Sequence, residues 1–111
     1  MDKIEIKNAK IRSTMLGVED HGIMTCMLHV EGDGWGQGFG GYSFDSWDEK
    51  LKKRVGSSYG IEFIKNILET LEVGKWEQLP GTYVRIENDF GKIYAIGHIT
   101  KDKWFRPSEL K

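Results

Sequence analysis

The chain has 111 residues, 16 of them basic and 17 acidic, with 39% hydrophobic and 30% charged side chains. That is one domain with a modest core and an ordinary globular composition, not a disordered one. The near-balance of charge argues against a protein that grips long nucleic acid through a basic excess, and against a strongly acidic nucleic-acid mimic, while leaving room for a local basic pocket.

The opening residues, Met1 to Lys7, carry no apolar signal core, and no apolar run approaches membrane-spanning length. Cys26 is the single cysteine, so there is no intrachain disulfide framework. Both features point to the cytoplasm. Ile4, Ile6 and Ile11, spaced by charged residues, predict a first strand through about Met15, followed by a turn-rich stretch from Leu16 to Gly22. A second strand covers about Ile23–Val30, where Cys26 reads as a buried inert thiol because no base lies near it in sequence. Glu31 to Gly34 is a hairpin turn into the most unusual segment of the chain.

That segment places Gly34, Gly36, Gly38 and Gly40 on alternate positions. Strand side chains alternate between faces, so one face is bare backbone until Tyr42 and Phe44, and the other carries Trp35, Gln37 and Phe39. Each glycine in a strand costs roughly 0.5–1 kcal/mol against alanine, so the row calls for a reason. It allows close approach by a ligand, by a neighbouring subunit or by the helix. A dinucleotide fingerprint is rejected, because that motif opens directly onto a helix, whereas Tyr42-Ser43-Phe44 reads as continuing the strand.

Asp45–Arg54 is charged and reads as loop or short helix. From Tyr59 to Leu71 the period changes: Ile61, Ile64, Leu68 and Leu71, with Phe63 and Ile67, form a helical stripe. Ser57 or Ser58 can cap its start and Gly74 can stop it. Arg54, Gly56, Ser57 and Ser58 before the helix form a candidate anion site, the plain alternative being a serine cap beside a solvated arginine. The chain has no lysine-containing phosphate loop, which excludes a nucleotide triphosphatase of that type. Thr82–Glu87 and Lys92–Ile99 close the chain as a hairpin around Asn88-Asp89-Phe90-Gly91. The result is a single α+β domain, residues 1–111, in the order β-β-β-α-β-β: a mostly antiparallel sheet of about five strands with one principal helix on a face.

Side-chain chemistry favours binding over catalysis. His21, His29 and His98 lack metal-ligand spacing, and no nucleophile and base are presented together. No cofactor is expected. Trp35 and Trp47 flank the glycine strand and, with Tyr42, can stack on a planar ligand, Trp76 is expected beneath the helix, and Trp104-Phe105 can tie down the tail or fill a partner's groove. The candidate ligand-binding set is therefore Trp35, Gly36, Gln37, Gly38, Gly40, Tyr42, Arg54, Gly56, Ser57 and Ser58.

Ile6-Lys-Asn-Ala-Lys-Ile11, Leu16-Gly-Val-Glu-Asp-His-Gly-Ile23, Gly36-Gln-Gly-Phe-Gly-Gly-Tyr42, Tyr59-Gly-Ile-Glu-Phe-Ile64 and Ile96-Gly-His-Ile-Thr-Lys-Asp-Lys-Trp-Phe105 resemble segments of small proteins of tailed bacteriophages and prophages. The resemblance spans nearly the whole chain and implies an accessory product acting inside an infected bacterium, of the kind that counters host defence. It brings no catalytic residues with it. The leading expectation is a non-enzymatic protein, forming a homo-oligomer, that sequesters a nucleotide immune signal such as a cyclic oligonucleotide or an ADP-ribose derivative. The alternatives are an inhibitor of a host defence protein, of the anti-CRISPR type, and a small nucleotide-modifying enzyme using His21 or His98 as acid or base.

Overall fold

The spine of the molecule is β1, Glu5–Val18, long enough to serve two partners in succession. In the computed structural model, which describes residues 3–110, its first half pairs antiparallel with β6 (Tyr83–Asn88) and its second half with β2 (Met24–Gly32). A β-bulge at Arg12, between Ile11 and Ser13, marks the change of register. Alternation then assigns faces: Ala9 and Ile11 turn into the core, while Ile6 lies outward and exposed, against its apolar character.

Asp33-Gly34 joins β2 to β3, Trp35–Gly40, with Gly34 at φ 77°. The strands β7 (Ile93–His98) and β8 (Trp104–Phe105) complete an antiparallel sheet in the order β3-β2-β1-β6-β7-β8. Asp45–Arg54, expected as loop or helix, instead contributes to a separate hairpin of β4 (Asp45–Asp48) and β5 (Lys53–Gly56). The fold is α+β as the sequence indicates, with six strands in the main sheet and two outside it.

The helix α1, Ser58–Leu71, starts where Ser57 Oγ accepts from the Gly60 amide at 3.2 Å and itself donates to the Phe44 carbonyl at 2.9 Å. It stops earlier than Gly74. Glu72 takes the left-handed conformation at φ 57°, and the Val73 amide reaches back to the Leu68 carbonyl at 3.1 Å. The buried stripe is Phe63, Ile67, Thr70 and Leu71, so the helix is rotated from the expected face and Ile61 is 61% exposed.

Phe63 is the centre of the core. Its ring lies 5.9 Å from Phe39, 5.1 Å from Phe44 and 4.9 Å from Phe105. Phe39 and Phe105 belong to the two edge strands of the sheet, yet their rings are 6.2 Å apart. The sheet therefore curls around α1 until its edges approach each other. Gln37 ties that curl by donating to the Asp89 carbonyl at 3.1 Å and accepting from Asn88 Nδ2 at 2.8 Å.

Candidate functional site

Because α1 covers the concave face, the opposite face of the sheet is open to solvent, and the glycine row lies on it. Counting outward from the hairpin turn, Gly36 pairs with Glu31, Gly38 with His29 and Gly40 with Met27. The next strand adds Lys10 beside Glu31 and Ser13 beside His29. An open hollow of about 440 Å³ sits over this surface, with Gly36 and Gly38 in its floor and Arg12, His29 and Glu31 around it. A second hollow of about 290 Å³ adjoins it through Glu31 and is lined by Asn8, Lys10 and Tyr83.

The row has several different causes. A Cβ at Gly38 would lie 2.9 Å from the Met27 sulfur, so that glycine makes space for a methionine laid across the strand. Gly40, at φ 130°, presses on the Cys26 carbonyl closely enough to exclude any side chain. Gly36 is different: a Cβ there meets only the Val30 carbonyl oxygen at 3.5 Å, an ordinary contact. Packing explains Gly38 and Gly40 and leaves Gly36 open to the hollow.

Arg12 is the residue that sequence reading missed. The bulge interrupts period-two alternation and delivers its side chain to the rim of the hollow. The other three arginines are committed: Arg54 to Asp45, Arg85 to the carbonyls of His98 and Lys101, and Arg106 to both carboxylate oxygens of Glu87. Arg12 has no hydrogen-bonding or charged partner among the described residues, and neither has His29 or Glu31. His29 and Glu31 did carry a usable signal, since reflecting the chain about Asp33-Gly34 sets both opposite the glycines. No such signal exists for Arg12.

The residues expected to line one site fall into three places. Gly36, Gly38 and Gly40 share the outer face. Trp35 and Gln37 border the hollow as members of β3, but their side chains turn to the other face, with Trp35 under Lys7 at 5.2 Å and Gln37 bonded to Asn88. Tyr42 also leaves the glycine face. The left-handed pair Gly40-Gly41 ends β3 and redirects the chain, so that Tyr42 and Phe44 both pack on Phe63, at 5.3 and 5.1 Å. Neither Trp35 nor Tyr42 is placed to stack on a ligand over the glycines.

Arg54, Gly56, Ser57 and Ser58 lie apart from the hollow and line none of it. Arg54 is not solvated; its Nη2 makes an ion pair with Asp45 Oδ1 at 2.8 Å and donates to the Asp45 carbonyl at 3.0 Å. Asp45 Oδ2 in turn accepts from the Met24 amide at 3.2 Å, which docks the β4–β5 hairpin on the end of β2. Those hydrogen bonds, Arg54 foremost, hold the Asp45 carboxyl below its usual range. The segment reads as a serine cap beside a structural ion pair.

Other candidates find structural roles. His98 Nδ1 accepts from the amides of Thr100 and Lys101, both at 3.1 Å, and so shapes the β7–β8 turn. Burial pushes the Cys26 thiol up to about 12. Trp104 lies against Gly97 with the Arg85 and Arg106 guanidinium groups 4.8 and 5.4 Å from its ring, while Phe105 enters the core. Trp76 is half-buried against the core in a short 3₁₀ turn. No cluster of three metal-ligating side chains occurs among the described residues, and no described helix is long and apolar enough to cross a membrane.

No protein-family model, curated protein or solved structure matches this chain.

Proposed function

We propose that the protein is a non-enzymatic binding protein that holds a phosphate-bearing nucleotide on the open face of its sheet. The supporting observation is Arg12: an uncommitted guanidinium, aimed by a bulge at a hollow with a glycine floor. A guanidinium suits phosphate because its planar fork donates two parallel hydrogen bonds, and bare backbone at Gly36 permits a close approach. His29 adds a second donor. Among the described residues neither His29 nor Glu31 hydrogen-bonds to a nucleophile, which favours binding over catalysis.

The resemblance to bacteriophage proteins supplies the context: a nucleotide immune signal, a cyclic oligonucleotide or an ADP-ribose derivative, sequestered inside an infected cell. The hollow is open, and a second copy laid over the sheet would enclose its ligand, so a homo-oligomer belongs to this reading. A second reading, inhibition of a host defence protein, draws on the β4–β5 hairpin, where Trp47 and Leu51 stand exposed.

The test is direct. The protein is incubated with a panel of cyclic oligonucleotides and ADP-ribose signals, separated from free ligand, heat-denatured, and the supernatant analysed. Intact ligand is the expected result. Altered ligand identifies an enzyme instead, and no retained ligand shifts the assignment to a protein partner.

A further inference from the structure

Resting on that reading, the geometry points to the orientation of the nucleotide: we infer that it lies across the strands, phosphate at Arg12 and His29, base on Tyr83, with Glu31 between them. Register carries the argument. Gly36, Glu31, Lys10 and Tyr83 form one row across β3, β2, β1 and β6, all pointing to the open face. With strands about 4.8 Å apart, this row is on the order of 14 Å long. The two hollows share Glu31 in their linings and lie side by side on the open face, so the proposed ligand spans both as one trough with chemically different ends.

At one end stand the Arg12 and His29 side chains, neither of them paired with a carboxylate among the described residues, which suits a phosphate. At the other, Tyr83 is 59% exposed, with the Lys10 ammonium 5.6 Å from its ring. An aromatic ring of that exposure on an open sheet is a stacking platform for a base. Glu31 fixes the direction. Its carboxylate repels phosphate from the middle of the trough and accepts hydrogen bonds from sugar hydroxyls there, as an acidic residue does in recognising ribose.

Calorimetry with ADP-ribose and with pyrophosphate tests the orientation. Wild-type protein is expected to bind both, ADP-ribose more tightly. Tyr83→Ala should weaken ADP-ribose about tenfold, the scale of one lost base stack, and leave pyrophosphate unchanged. Arg12→Ala should weaken both by about tenfold or more. Both side chains are exposed and leave the core intact, and unchanged thermal midpoints check that. If ADP-ribose binds and responds to Arg12→Ala but not to Tyr83→Ala, the orientation is wrong and the binding reading survives. Binding of ADP-ribose that is indifferent to both substitutions overturns the trough as the site. If neither ADP-ribose nor pyrophosphate binds, and no cyclic oligonucleotide is retained, the orientation and the reading beneath it both fall.

Discussion

A valine at Gly36 finds room for its first carbon, at 3.5 Å from the Val30 carbonyl oxygen. Strand propensity favours the branched side chain over glycine, so Gly36→Val should keep or slightly raise the thermal midpoint. Its methyls would rise into the hollow, and ligand affinity should fall tenfold or more. Paired measurements of melting and binding check this, and a variant that binds normally removes the floor from the proposed site. Gly40→Ala should behave in the opposite way. At φ 130° and pressed on the Cys26 carbonyl, it should cost about 1–3 kcal/mol in denaturant unfolding whether or not a ligand is present. Arg54→Ala also belongs with the structural residues. It strips Asp45 of its first hydrogen-bond donor, so β4–β5 should become sensitive to limited proteolysis while nucleotide affinity stays unchanged.

At the scale of elements, the end of α1 gives a pH-dependent prediction. Lys101 Nζ donates to both Glu72 oxygens, at 2.8 and 2.9 Å, and Lys103 reaches the same carboxylate at 3.1 Å. These bonds, Lys101 first, lower the Glu72 carboxyl from 4.5 to about 2. A carboxyl depressed by folding stabilises while ionised: the contribution is complete above about pH 4.5 and is lost as the pH falls through about 2. Glu72→Gln should therefore unfold at lower urea than wild type at pH 7, with the gap closing between pH 4.5 and pH 2. A gap that persists at pH 2 would show that shape, not charge, holds this cap. Glu72→Gly separates the two, since glycine relieves the left-handed backbone while losing both ion pairs.

The elements also show what a linear reading reaches. The hairpins and α1 are legible because periods of two and 3.6 are written in apolar residues, and the glycine row is legible because no other residue imitates it. The β4–β5 hairpin is not, since Asp45–Asp48 and Lys53–Gly56 carry no apolar alternation and are held by Arg54, Asp45 and the distant Met24 amide. Two residues of β8 are too short for any period. The kink at Gly40-Gly41 moves Tyr42 to the other face, and the bulge at Arg12 hides the residue on which the candidate site turns. Turns and bulges shift phase without changing composition, so the floor of the candidate site is legible, His29 and Glu31 follow only through the hairpin register, and Arg12 not at all.

For the whole molecule, the decisive feature is that the two edges of the sheet meet through Phe63. Phe39 and Phe105 meet edge-on, ring centres 6.2 Å apart, with Phe63 of the helix packed against both, and Cys26, fully buried on β2, lies in the same core cluster. This thiol is shielded in two ways. It is out of reach of reagent, and its raised value of about 12 leaves little thiolate near neutral pH. Labelling with a thiol reagent therefore requires the core to open. Phe63→Ala should cost about 3–5 kcal/mol, a large share of the roughly 5–15 kcal/mol that holds a domain together. If opening is global, that loss appears in full in the labelling equilibrium, and Cys26 should react at least about 10²-fold faster under native conditions. Added urea should then accelerate labelling with the same slope as global unfolding. If Cys26 is instead exposed by a local opening that leaves Phe39 packed on Phe63, Phe63→Ala will leave its rate nearly unchanged and urea will have little effect. That outcome would mean the sheet opens beside Cys26 while the aromatic centre stays closed.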